Sequence, residues 1–204
     1  MLRYKDDAYR NALQNGIVYN MQQPVKKPGA YHLRMALRDA DTEQLGSANE
    51  FIEIPDVSKG KLLLSSLILH PYQPPADAAH PESAEAPEGH TSASPAMRVF
   101  APGEDILYGY QILNPQVDSN QKAQIEAFTR VFRDGAEIFA GTPQPMNTDV
   151  QTDTKKMVGG GVLKLGGNMQ PGDYVLQVVV TDKIAKTTAT QWSDFEVKDP
   201  AALQ

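Results

Sequence analysis

Hydrophobic and polar positions alternate with period two through most of this chain. Tyr31, Leu33, Met35 and Leu37 alternate with His32, Arg34, Ala36 and Arg38. Tyr174, Leu176, Val178 and Val180 repeat the pattern, and Ile106, Tyr108, Tyr110 and Ile112 form a third run. Successive side chains of a strand point to opposite faces, so each run predicts a strand with one buried and one wet face. Strands are expected at 61–69, 104–113, 122–133, 136–140, 161–165, 173–181 and 188–197, with little helix beyond residues 1–15. Arg133-Asp134-Gly135 separates two apolar runs and reads as a hairpin turn. Seven short strands divided by turns fit an all-β fold, an immunoglobulin-like antiparallel β-sandwich.

The chain also matches itself. Residues 28–39 read P-G-A-Y-H-L-R-M-A-L-R-D and residues 171–182 read P-G-D-Y-V-L-Q-V-V-V-T-D, a constant offset of 143. The offset continues into a second strand, pairing Ile52-Glu53-Ile54 with Phe195-Glu196-Val197 and Asp56 with Asp199. An ungapped match of this length reads as a duplicated structural unit, a turn followed by two antiparallel strands. A tyrosine just after the turn, at Tyr31 and Tyr174, occupies the place of the tyrosine corner in such sandwiches. The second copy closes a complete set of strands. The first has one further candidate, Ile17–Val25, and three strands leave an apolar face poorly covered. The expected organisation is therefore residues 1–56 as the last part of a sandwich whose remainder lies upstream of Met1. Residues 57–199 form a complete unit, and 200–204 a tail. Residues 71–96, rich in proline and alanine, bury too little apolar surface to offset ordering entropy and are expected to be a disordered insertion.

Composition narrows the functional classes. The chain has 204 residues, no cysteine and a net charge of −6. Lack of cysteine excludes a disulfide scaffold and a thiolate metal site. The acidic balance argues against a nucleic-acid partner, which rewards clustered Lys and Arg. No apolar run approaches the roughly 20 residues of a membrane helix, so no direct membrane insertion is expected. The start, Met-Leu-Arg-Tyr-Lys-Asp-Asp, lacks the apolar core of a signal peptide.

The segments P-V-K-K-P-G-A-Y-H-L-R-M-A-L-R-D (24–39), G-S-A-N-E-F-I-E-I-P-D (46–56) and P-G-D-Y-V-L-Q-V-V-V-T-D (171–182) resemble the C-terminal region of the bacterial VWFA-related proteins known best from Acidobacteria. F-R-D-G-A-E-I-F and the ending A-T-Q-W-S-D-F-E-V are similar to that region as well. The resemblance covers most of the chain apart from residues 1–12 and the Pro/Ala stretch. It implies export, to an extracellular or periplasmic location, and an adhesion or scaffolding context. The von Willebrand factor type A domain of those proteins lies further upstream. Its metal ligands map onto no residue of this chain.

Candidate chemistry is sparse. His80 and His90 lie in the Pro/Ala stretch, His70 adjoins it and His32 falls on a wet face; no H-E-x-x-H or tight histidine pair occurs. Ser83, Ser92 and Ser94 sit in the same stretch, where no catalytic geometry is held, and G-x-S-x-G is absent. Gly159-Gly160-Gly161 lacks the following G-K-[ST] of a phosphate loop and reads as a turn entering a strand. Asp56, Asp118, Asp149, Asp153 and Asp199 read as turn aspartates rather than a calcium loop. Trp192, Tyr108 and Tyr110 are the residues from which a sugar-stacking platform would be built, but a single tryptophan beside a strand end reads first as packing. The apolar outer positions Val175 and Val179 point to a covered second face. No catalytic, cofactor-binding or metal residue is assigned, and no cofactor is expected. The function expected is a non-enzymatic structural or protein-interaction module that binds protein, either upstream domains of the same polypeptide or another protein. A carbohydrate-binding sandwich is the alternative.

Overall fold

The computed structural model describes residues 5, 9, 10, 12, 21–72, 98–148, 151 and 153–199. The chain divides into two compact units, Asn20–Lys61 and Leu62–Gln204 with Met1–Tyr19. The protein is nearly all β, an antiparallel sandwich as the alternation predicts. Tyr9, Arg10 and Ala12 are helical, and no helix among the described residues is long and apolar enough to cross a membrane.

The smaller unit is a hairpin. β1 (Gly29–Arg38) and β2 (Leu45–Ile54) pair antiparallel without a register shift, from Gly29 opposite Ile54 to Arg38 opposite Leu45. A 3₁₀ turn follows at Val57–Lys59, its amides capped by Asp56. Every residue of β1 is exposed, including the apolar positions Tyr31, Leu33, Met35 and Leu37. The expected buried face is therefore absent from this hairpin, because no facing sheet lies over it among the described residues. The expected third strand at Ile17–Val25 is also corrected: residues 21–25 carry no strand, and 17–20 lie outside the described residues.

The larger unit comprises β3 (Leu63–Leu64), β4 (Ile68–Pro71), β5 (Val99–Phe100), β6 (Asp105–Leu113), β7 (Ile125–Arg133), β8 (Ala136–Ala140), β9 (Gln144–Pro145), β10 (Lys156–Lys164), β11 (Gly172–Asp182) and β12 (Thr187–Val197). One sheet runs β10-β6-β3, with β4 also paired to β6; the other runs β5-β12-β11-β7-β8, with β9 paired to β7. This is an immunoglobulin-like arrangement, with β3, β6 and β10 in one sheet and β7, β11 and β12 in the other. The expected strand at 61–69 is split into β3 and β4 around Ser65, whose hydroxyl accepts a hydrogen bond from Gln111 N at 2.9 Å. β5 and β9 are too short to show period two. Most of the Pro/Ala stretch, residues 73–96, lies outside the described residues.

The core lies between the sheets. Tyr174, Leu176, Val178 and Val180 of β11 are buried, and with Ile106, Tyr110 and Ile112 of β6, Met157 of β10 and Phe195 of β12 they form one cluster. Asp182 ends β11 in full burial, and its carboxylate accepts from Ile184 N and Ala185 N at 2.9 Å and from Gln116 N at 2.7 Å. The last bond joins the hairpin loop to the segment after β6.

The glycine run 159–161 corrects another expectation. It lies inside β10 rather than at a turn entering a strand, opposite Tyr110, Gly109 and Tyr108 of β6. The rings of Tyr108 and Tyr110 stack at 6.4 Å between centroids and occupy the space that side chains at 159 and 161 would fill. A Cβ on Gly160 would lie 2.5 Å from the carbonyl oxygen of Tyr108, whereas one on Gly161 would meet the Tyr108 hydroxyl, the movable tip of a side chain. Gly160→Ala is therefore expected to destabilise the unit by about 1–3 kcal/mol, and Gly161→Ala by less. Denaturant midpoints of the two variants check this, and a Gly160→Ala midpoint equal to that of the unaltered protein would contradict it.

Candidate interaction surfaces

Two surfaces stand out, one in each unit. The first is the face of the β1–β2 hairpin that carries Tyr31, Leu33, Met35 and Leu37. Paired residues share a face, so Ala48 and Ile52 extend it, and Glu50 places a carboxylate opposite Leu33. The other face carries His32, Arg34 and Arg38, with the His32 ring set edge-on to Phe51 at 5.5 Å. The apolar face is built as the buried face of β11–β12 is. Tyr31 lies opposite Ile52 where Tyr174 lies opposite Phe195, so the pairing register is the same at the offset of 143. Gly29 and Gly172 open their strands at φ +140° and +142°, a region that side chains rarely enter.

The hydrogen bonds correspond too. Tyr31 Oη donates to Lys27 O and Tyr174 Oη to Gln170 O, both at 2.7 Å. This is the bond of a tyrosine corner, from the ring back to the backbone four residues upstream. Asp39 accepts from Asp41 N and Thr42 N as Asp182 accepts from Ile184 N and Ala185 N. The Thr42 and Asp41 amides hold the Asp39 carboxyl below the ordinary range.

The second surface is the outer face of the β12-β11-β7 sheet. Cross-strand rows there read Trp192–Gln177–Arg130 and Asp194–Val175–Phe132. Of these, Trp192, Gln177, Asp194, Val175 and Phe132 line an open groove of about 830 Å³ with Arg98, Asp134, Asp173 and Glu196. Trp192 is 60% exposed on this face, which corrects the expectation that it packs inside. The signal that assigns it was available: Phe195 and Val197 point inward, so period two places Trp192 outward. Tyr108 and Tyr110 do not join it, since they pack between the sheets. Burial raises both phenol pKa values, with the Tyr108 phenol adding to the rise at Tyr110. Val175 lines the groove, and Val179 is half-buried beside it, opposite Phe128.

The other candidates are dispersed. His70 is half-buried on β4, and His80, His90, Ser83, Ser92, Ser94 and Asp149 lie outside the described residues. Asp118 accepts from Asn120 N and Lys122 N, and Asp153 from Lys155 N, so each closes its own turn. Asp56 caps the 3₁₀ turn, its carboxyl held low chiefly by the Ser58 hydroxyl, and Asp199 is exposed. Among the described residues no group of three histidine or carboxylate side chains is placed to hold a metal ion.

No protein family matches the chain in sequence, and no curated protein does either. Among solved structures, a family 123 glycoside hydrolase from Clostridium perfringens is similar over 50% of this chain and 23% of its own, at 13% identity and a TM-score of 0.36. A Niemann-Pick type C2 protein from the Japanese carpenter ant is similar over 67% of this chain and 92% of its own, at 10% identity and a TM-score of 0.39. Both likenesses are loose, and the chain spans about a quarter of the hydrolase.

Tyr174 is buried beneath Phe195, and its hydroxyl also accepts from Arg133 Nη1 at 3.2 Å. Tyr174→Phe keeps the ring and removes both bonds, so a loss of about 1–3 kcal/mol is expected. Tyr31→Phe, at an exposed position, is expected to cost less. Urea titration reads both; an unchanged midpoint for Tyr174→Phe would show that its hydroxyl supports nothing.

Proposed function

We propose that this chain is a non-enzymatic structural and protein-interaction module of an exported bacterial protein of the VWFA-related kind, working outside the cytoplasm to space and present a neighbouring domain. The observation that carries this reading is the same hairpin found twice in one chain, packed under a sheet at 172–197 and open along its apolar face at 29–54. A duplicated unit explains the shared register. An open apolar face is a surface for another protein rather than a reaction centre. The turn-closing roles of Asp118, Asp153 and Asp56 support the same reading, because their oxygens are already engaged by the backbone.

A sugar-binding role is the second reading, favoured by the exposed Trp192 beside Val175, Phe132 and the carboxylates of Asp173 and Asp194. An aromatic ring on a flat sheet can stack on a sugar face while carboxylates accept from its hydroxyls.

One experiment separates the two. A photoreactive benzoylphenylalanine replaces Leu37 or, as control, Val158, both exposed. Each chain is irradiated with the type A-domain region of a VWFA-related protein. An adduct from position 37 and none from 158 is expected. No adduct from 37, together with a saturable change in the emission of the single tryptophan on adding plant or chitin oligosaccharides, would replace the interaction module with a sugar-binding one.

A further inference from the structure

β11 has two neighbours in its sheet, β12 and β7, while β1 has only β2 among the described residues. β7 runs antiparallel to β11 over nine positions, from Arg133 opposite Tyr174 to Ile125 opposite Asp182. Since the two hairpins share their register, the bare edge of β1 is the edge that β7 occupies on β11. It is ten residues long, paired without a bulge on its other side, and contains no proline or lysine. Proteins blunt a permanent edge with bulges, proline and charge; β1 has neither bulge nor proline, and its charges, Arg34 and Arg38, lie on the face opposite Tyr31, which leaves the apolar side of the edge open to pairing.

The packed hairpin also specifies what the edge accepts. Arg133 lies over the Tyr174 ring at 5.3 Å and donates to Tyr174 Oη and to Pro171 O, both at 3.2 Å. The first hairpin keeps each of these acceptors: the Tyr31 ring, a hydroxyl whose proton already goes to Lys27 O, and the carbonyl of Pro28. On the same face Glu50 supplies a carboxylate where the packed hairpin has Ser193, which itself accepts from Arg98 Nη1 at 2.8 Å. The face therefore combines apolar positions at Leu33, Met35 and Leu37 with a set of cation acceptors at one end.

A second copy of this chain does not meet that description. Arg34 and Arg38 lie on the opposite face of β1 from Tyr31. Pairing two β1 strands with apolar faces aligned would bring no cation to Tyr31.

We propose that the free edge of β1 is a docking site for an antiparallel β-strand from a polypeptide outside residues 1–204, apolar at alternate positions and carrying an arginine opposite Tyr31. Main-chain bonds supply the affinity, and the alternate side chains with the arginine supply the specificity. This rests on the interaction-module reading and names the partner's chemistry.

The probe is a synthetic fluorescein-labelled peptide with the sequence of residues 124–133, Q-I-E-A-F-T-R-V-F-R, titrated into the full chain and followed by anisotropy and hydrogen exchange. Saturable binding is expected, with new protection at residues 29–38. A peptide with its last arginine changed to alanine is expected to bind about tenfold more weakly, since it loses charge-assisted bonds. That change leaves the protein's own folding untouched. No saturable binding, or protection at 172–182 instead, overturns the proposal. So does a chain that sediments as a dimer protected at 29–38, which makes a second copy the occupant. A Leu37 cross-link without strand binding also overturns it and leaves the interaction module standing.

Discussion

A two-stranded β-ribbon is stable in water only when one of its faces is covered, and this chain holds both outcomes. Fully burying a leucine- or valine-sized side chain contributes about 1.5–3 kcal/mol relative to leaving it exposed. Leu176, Val178 and Val180 gain that contribution beneath Ile106, Ile112 and Met157, whereas Leu33, Met35 and Leu37 do not. Local bonding cannot account for the contrast, because the register, the tyrosine hydroxyl bond and the aspartate-capped loop are the same in both hairpins. Tertiary cover is the difference.

The covered unit shows how that cover is held. Gly159-Gly160-Gly161 lets β10 lie close along β6 while the Tyr108 and Tyr110 rings fill the space above it. Asp182 binds Gln116 N across the end of the sandwich, while among the described residues Asp39 accepts from amides of its own loop. Arg133 clamps β7 to the turn that starts β11. The inner face is closed in this way, and on the outer face Trp192, Val175 and Phe132 meet carboxylates in a shallow groove.

Much of the sandwich was legible in the sequence because period two reports which face is inward. β6, β7, β8, β11 and β12 fall where alternation and turn residues place them. β5 and β9, at two residues each, are too short to alternate, and β5 pairs in parallel with β12 through contacts distant in sequence. The glycine run was misplaced because its role depends on two tyrosines about fifty residues away. The outer groove needed only the parity of β12 counted back from Phe195, but its carboxylates come from two strands, β11 and β12, and the β7–β8 turn, which only the pairing brings together.

Native-state hydrogen exchange of the whole chain tests the central claim directly. If tertiary cover sets the stability of each hairpin, amides of 174–180 exchange only through global unfolding, while those of 31–37 exchange through local opening at far lower free energy. Equal protection of the two hairpins in the monomeric chain would contradict the account, since it would mean that the ribbon is stable without a facing sheet.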